Sequence, residues 1–220
     1  MVATPSSQQA PRSSRGRRAP RVSGDERERA ILQTAERLLE ERPLREISVD
    51  DLARGAGISR PTFYFYFASK EAVLLALMDR LVEEAREGVA LALLANDPPR
   101  VLREGITAIR DTFRDHRAVA MAAADARAGS PAVRELWARV MEAFVGETTA
   151  AIEAERRRGA APPGVPAREL AIALNWMNER VLHATLEGEE PAIGEDAVLD
   201  SLVEVWLRAI YRTDEPQPLS

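Results

Sequence analysis

The chain has 220 residues, 45% of them hydrophobic and 30% charged, with a net charge of −5 and no cysteine. That length suits one large domain or a small domain joined to a larger one, and the composition is that of a folded chain. The missing cysteine excludes disulfides, thiolate nucleophiles and Cys-ligated metals, no apolar run reaches the length of a transmembrane helix, and the N-terminus lacks a signal peptide's apolar core, so a cytoplasmic protein is expected.

Residues 1–22 are mostly Ser, Pro, Gln and Arg, with Arg12, Arg15, Arg17, Arg18 and Arg21 and no acid. Such a segment buries too little surface to offset its ordering entropy. It reads as a disordered basic arm, either a solubilising tail or a strap along DNA. Residues 1–70 hold 13 basic and 9 acidic residues, a balance of +4, whereas 71–220 hold 17 and 26, a balance of −9. A basic front on an acidic body allows one polyanion-binding end.

Ordered structure is predicted from Ser23-Gly-Asp-Glu26, a capping-box pattern. Ile31, Ala35, Leu38 and Leu39 then share one helix face, and Pro43 stops the helix. Ser48-Val-Asp-Asp51 opens a second helix, with Leu52 and Ala53 inward and Gly57 at a left-handed cap. Ser59 caps a third, where Pro61 is tolerated in the first turn. Ala53 is small where two helices meet, Gly57 supplies positive φ and Ile58 plugs the gap, which predicts a helix-turn-helix in residues 23–69.

Five of the chain's eleven aromatic residues stand together at 63–67. Helical spacing puts Phe63 and Phe67 on the core face. Pro61, Thr62, Phe65 and Tyr66 point the other way, with Arg60 and Tyr64 at the flanks. Displayed tyrosines suit phosphates, sugars and thymine methyls, Arg60 suits a guanine edge, and Thr62 suits a base or phosphate. Lys70, at the start of the fourth helix, is expected to meet a phosphate or to pair with Glu71 or Asp79.

The fourth helix is predicted from Ser69 to about Ala95, and further helices near 99–115, 117–128, 131–158, 166–187 and 195–212. No strand pattern appears. The reading is all-α, about nine helices, with residues 70–220 forming a C-terminal helical bundle. Three stripes mark that bundle: Leu102, Gly105, Ile106, Ile109 and Phe113; Trp137, Met141, Phe144 and Thr148; Asn175, Asn178 and Leu182. Such stripes are either plain core or the wall of a pocket, with Trp206 nearby on the last helix. The mid-helix asparagines need partners, from a ligand or from another helix. Ile172, Leu174, Met177 and Val181, with Val198, Leu202, Val205 and Trp206, give the last two helices more apolar surface than one body needs, which predicts a two-fold homodimer.

The stretch ISVDDLARGAGISRPTFYFYFASKEAVLL resembles the DNA-binding signature of the TetR family of bacterial repressors. The likeness is near-continuous there and patchy in IEAERRRGAAP, LNWMNER and LDSLVEVW. It implies a homodimer that grips double-stranded operator DNA and is released by a small lipophilic effector held in the body. It also implies DNA contacts at Ser48, Arg60, Pro61, Thr62, Tyr64, Phe65, Tyr66 and Lys70, and it strengthens the pocket reading of the three stripes and Trp206. Leu102, Ile109, Phe144, Glu147 and His183 stand where a similar member carries aromatic residues, which implies a wider pocket; an inward Glu147 would need a partner such as His183. No cofactor is expected. The sequence has no H-E-x-x-H, no G-x-G-x-x-G and no P-loop, and its alternative reading is a helical adaptor without ligand-controlled DNA binding.

Overall fold

The computed structural model describes residues 24–92 and 97–212. The basic arm and Ser23 lie outside these residues, as does the expected end of the fourth helix at Ala95. Among the described residues the chain forms nine α-helices, one 3₁₀ turn and no strand.

Helix α1 (Gly24–Glu41) buries Ile31, Leu32, Thr34, Ala35, Leu38 and Leu39. A 3₁₀ turn at Leu44–Glu46, which the sequence reading did not anticipate, leads into α2 (Val49–Gly55). Ser48 and Asp51 cap α2 reciprocally, each side chain taking the other's backbone N–H. The end of α2 follows from two hydrogen bonds, Gly57 N–H to Arg54 O at 3.1 Å and Ile58 N–H to Ala53 O at 3.0 Å. This Schellman pairing needs the left-handed backbone of Gly57, φ +66°. A second glycine is needed for packing: a Cβ on Gly55 would lie 2.3 Å from Thr34 Cγ2, so α1 and α2 cross only because Gly55 has none. Ser59 caps α3 (Arg60–Tyr66) by accepting from Thr62 N–H.

Helix α4 (Lys70–Ala92) runs from the front into the body. Its first half contributes Val73, Leu74, Leu77 and Met78 to a core shared with α1, α2 and α3. That core continues into α6 (Arg117–Gly129) and the first half of α7 (Pro131–Arg157) through Val119, Ala123, Val133 and Leu136. Further along, α4 packs on α5 (Pro98–Asp115) so tightly that a Cβ on Gly88 would lie 2.6 Å from Ala108 Cβ. A second core joins α5, the end of α7, α8 (Ala167–Glu187) and α9 (Glu195–Tyr211). Ser130 with Pro131 starts α7, and Gly188 at φ +67° ends α8.

The dimer expectation needs a correction at four residues. Leu174, Val198, Leu202 and Trp206 are buried in the chain's own second core, because α8 packs on α7 and α9, and α9 packs on α5. The apolar side chains that do face outward there are Ile172, Trp176 and Val205.

Candidate nucleic-acid interface and body cavity

The aromatic row divides between core and surface. Phe63 and Phe67 are 0% and 8% exposed, while Tyr64 and Phe65 are 47% and 83% exposed. Tyr66, expected on the display face, is only half-exposed: it packs on the front core, edge-on to Phe65 with ring centroids 5.2 Å apart. Arg60 lies at the start of α3 with its guanidinium held on two sides. Nη1 donates to Asp50 Oδ2 at 3.2 Å, Nη2 donates to the Tyr64 hydroxyl at 3.3 Å, and Cζ lies 5.8 Å from the Tyr64 ring centroid. Pro61 is exposed and Thr62 half-buried, with its hydroxyl 2.8 Å from Ser59 Oγ.

Two expected DNA contacts have other partners. The ammonium of Lys70 donates to the carbonyls of Leu44, Arg45 and Ile47 at 2.7, 3.3 and 2.9 Å. Its ammonium is thus engaged by the carbonyls of the 3₁₀ turn and its C-cap, Ile47, which lie beside the start of α4. Among the described residues it pairs with neither Glu71 nor Asp79. The Ser48 hydroxyl donates to Asp51 Oδ2 at 2.7 Å and accepts from Asp51 N–H. The Ser48 hydroxyl, with the Ser48 backbone N–H that also donates to Asp51 Oδ2 at 3.0 Å, holds the Asp51 carboxyl below the usual aspartate pKa. Asp50 was missed in the sequence because it reads as an ordinary first-turn acid.

In the body, all three stripes and Trp206 converge on two adjoining compartments. The smaller, about 90 Å³, is lined by Ile109, Phe113, Trp137, Met141, Phe144, Asn175, Asn178 and Leu182, closed by Met121, Val133 and Val140. The larger, about 350 Å³, is lined by Leu102, Gly105, Ile106, Ile109, Phe144, Thr148, Asn175, Asn178 and Trp206. Ile109, Phe144, Asn175 and Asn178 belong to both and form the waist between them.

The polar groups at this waist are few and specific. Trp206 Nε1–H donates to Asn178 Oδ1 at 2.9 Å, and Asn178 is 7% exposed. The Asn178 NH₂ has no protein partner among the described residues. Asn175 Nδ2 donates to Thr148 Oγ1 at 3.0 Å and to Ala171 O at 2.9 Å, which leaves Asn175 Oδ1 as an acceptor. The indole N–H of Trp137, in the smaller compartment, is buried without a hydrogen-bond partner among the described residues. Beside it Arg127 lies 5.8 Å from the Trp137 ring centroid and pairs with Glu179 at 3.1 Å.

The suggested Glu147–His183 pair does not form. Glu147 is exposed at the rim of the larger compartment and pairs with Arg86 of α4 at 2.6 Å, while His183 lines the smaller one. Arg86, Arg127, Glu179 and the α6 wall were missed. The charged residues read as surface, and the Ala-rich α6 carries no distinctive stripe. Among the described residues no cluster of His, Asp and Glu has the arrangement of a metal site, and no helix is long and apolar enough to cross a membrane.

Comparison with known proteins agrees with this geometry. Residues 31–77 match the family "Bacterial regulatory proteins, tetR family", and residues 102–212 match "Transcriptional regulator EthR, C-terminal domain". The chain is 57% identical over 202 residues to the HTH-type transcriptional regulator EthR of Mycobacterium tuberculosis strain H37Rv, covering 90% of this chain and 93% of that protein. It is 50% identical over 204 residues to EthR of Mycolicibacterium smegmatis, covering 92% and 94%. A solved structure of a putative TetR-family regulator from Syntrophomonas wolfei superposes with a TM-score of 0.71 over 86% of this chain and 97% of that one, at 16% identity, a likeness of fold. The chain belongs to the TetR family of helix-turn-helix transcriptional regulators and is similar to the EthR proteins over nearly its whole length.

Proposed function

We propose that this regulator is a cytoplasmic repressor that binds operator DNA as a homodimer and is released by a small lipophilic effector. The front, 23–69, grips DNA; the body, 70–220, dimerises and holds the effector. The observation that carries the reading is the course of α4. It starts just after α3 and, at Gly88, packs against Ala108 of α5, the helix that supplies Leu102, Gly105, Ile106, Ile109 and Phe113 to the cavity. A ligand that displaces α5 displaces α4. A second link lies at the α5–α6 junction, where His116 reaches Glu36 of α1 at 2.8 Å and Glu84 of α4 at 3.3 Å.

The dimer reading rests on Ile172 and Trp176 of α8 and Val205 of α9, which are 38%, 45% and 44% exposed on neighbouring helices. A two-fold interface uses one patch twice and would set the recognition helices about one DNA turn apart, roughly 34–36 Å, or a multiple of it. The effector reading rests on the waist. Its free acceptor on Asn175 and free donor on Asn178 complement a molecule with apolar arms and a central amide, ester or ketone. Linkage sets the sign: an effector weakens DNA binding only if it prefers the conformation that DNA disfavours, by a coupling of typically about 1–3 kcal/mol.

The test has three parts. Light scattering at micromolar concentration should give a dimer. Titration of the promoter of the protein's own gene against random duplex should show preference for the promoter. A thermal-shift screen of lipophilic amides, esters and ketones should yield binders that lower that affinity. Tight binders that leave DNA affinity unchanged would overturn the switch.

A further inference from the structure

Asp50 reaches Arg60 on the exposed face of α3, and the capping of α2 does not account for it. Asp51 completes the reciprocal cap with Ser48, so Asp50 is free to face the next helix. Its carboxylate takes one N–H of Arg60 at 3.2 Å, and the Tyr64 hydroxyl takes another at 3.3 Å. Arg60 and Asp50 side chains are 57% and 52% exposed, so the pair sits at the surface and its stability value is small. Its geometry is the informative part. A guanidinium has five N–H groups in a rigid plane. With one Nη1 hydrogen on Asp50 and one Nη2 hydrogen on the Tyr64 hydroxyl, the guanidinium plane is fixed, and Nε–H with one hydrogen on each terminal nitrogen remain for a bidentate partner. Such a partner in a groove is the O6/N7 edge of guanine.

The same contact acts against phosphate. A negative carboxylate beside Arg60 cancels its charge toward the backbone of any duplex and is itself repelled by phosphates. A base edge carries no net charge and is not penalised in this way.

We infer that Asp50 is a positioning residue for DNA specificity: it orients the Arg60 guanidinium toward a base edge and denies that charge to non-specific phosphate contacts. This rests on the proposed DNA-binding function and adds to it the device that separates operator from random DNA. The plain alternative is that Asp50 only favours the N-terminal dipole of α2. That role does not depend on Arg60, and the two are separable.

The experiment starts with a duplex site selected by the intact protein from a randomised library, so that no operator need be known. Affinities for that site, for variants with each guanine replaced, and for random duplex are measured across a salt series for wild type, Asp50→Asn, Asp50→Glu, Arg60→Ala and the Asp50→Asn/Arg60→Ala double variant. For Asp50→Asn, random-duplex binding should tighten and its log–log salt slope should steepen by about 0.9, the value of one released charge. Discrimination at one guanine should fall roughly three- to tenfold, the cost of leaving a long side chain to be ordered on binding. Asp50→Glu keeps the charge and should keep the wild-type slope. With Arg60 already Ala, Asp50→Asn should no longer alter discrimination at that guanine. If Asp50→Asn strengthens selected and random duplexes equally with and without Arg60, Asp50 is only a repelling charge and the inference fails. If the wild type selects no site at all, the DNA-binding reading falls and this inference falls with it.

Discussion

The indole N–H of Trp206 donates to the side-chain oxygen of Asn178 across 2.9 Å, joining α9 to α8 at the wall shared with the cavity. Both residues are buried, 7% exposed each. Asn178→Leu keeps the branched side-chain shape but leaves a buried indole N–H without a partner, which costs about 1–3 kcal/mol. It also removes the free NH₂ at the waist. The expected outcome is a lower unfolding midpoint, weaker binding of lipophilic amides and retained DNA affinity. Trp206→Phe should have the opposite effect on polarity: it frees Asn178 Oδ1 and should favour effectors that carry a donor. Calorimetric titration of matched amide and ester pairs checks both.

Phe63 and Phe65 stand two residues apart and should behave as different classes of residue. Phe63 is fully buried among α1, α2 and α4, so Phe63→Ala should cost about 3–5 kcal/mol and threaten folding of the front. Phe65 is 83% exposed, so Phe65→Ala should change stability by less than about 0.5 kcal/mol. If Phe65 meets DNA, its loss should still weaken duplex binding. Chemical denaturation beside DNA titration separates the two; a large stability loss at Phe65 would overturn its assignment as a surface residue.

The helices were legible because their ends are written in local chemistry. Ser48, Ser59, Ser130, Gly57 and Gly188 each mark a boundary through one hydrogen bond or one backbone angle, which a short stretch of sequence contains. The cavity walls were legible because apolar spacing on α5, α7 and α8 fixes which face turns inward. What the sequence hid depends on pairs far apart in the chain. Lys70 finds the carbonyls of Leu44 and Ile47, and Glu147 finds Arg86 rather than His183. Helical spacing places Glu147 near the cavity and says nothing of the arginine across the rim. Leu174 and Val198 look alike whether they cover a partner subunit or the chain's own core.

Gly88 and Ala108 measure how closely α4 follows α5. A Cβ on Gly88 would lie 2.6 Å from the Ala108 Cβ, and neither atom can rotate away. Gly88→Ala should therefore separate the helices, at about 1–3 kcal/mol of overpacking less the helix propensity gained. It should also shift the front and weaken DNA binding without any ligand. Ala108→Gly added to it restores the space and should recover most of the DNA affinity. Recovery of stability alone would show that the contact supports the fold without passing the signal.

The ends of α7 and α9 are tied by Glu155, Arg158 and Tyr211. The Tyr211 hydroxyl donates to Glu155 Oε2 at 2.8 Å, and Arg158 Nε donates to the other carboxylate oxygen at 2.7 Å. Burial raises the Glu155 pKa, but the hydrogen bonds from Arg158 and Tyr211 outweigh it and leave the pKa below the usual glutamate value. Burial, then the neighbouring carboxylate, pushes the Tyr211 phenol well above its usual value. The signs follow. A depressed carboxyl stabilises the fold above its unfolded pKa, about 4.3, and that stability is lost as pH falls through the lower folded value. A raised phenol stabilises it below its unfolded pKa, about 10, and that stability is lost as pH rises through the higher folded value. The cluster therefore supports the fold fully between those two limits. Tyr211→Phe removes one donor while burial remains, so the Glu155 pKa should rise and acid unfolding should begin at higher pH. Near neutrality the loss should be about 1.5–3 kcal/mol, as for a hydrogen bond to a charged group. Urea unfolding across a pH series checks this, and an acid limb of Tyr211→Phe that overlays the wild type would show that Arg158 alone holds Glu155 ionised.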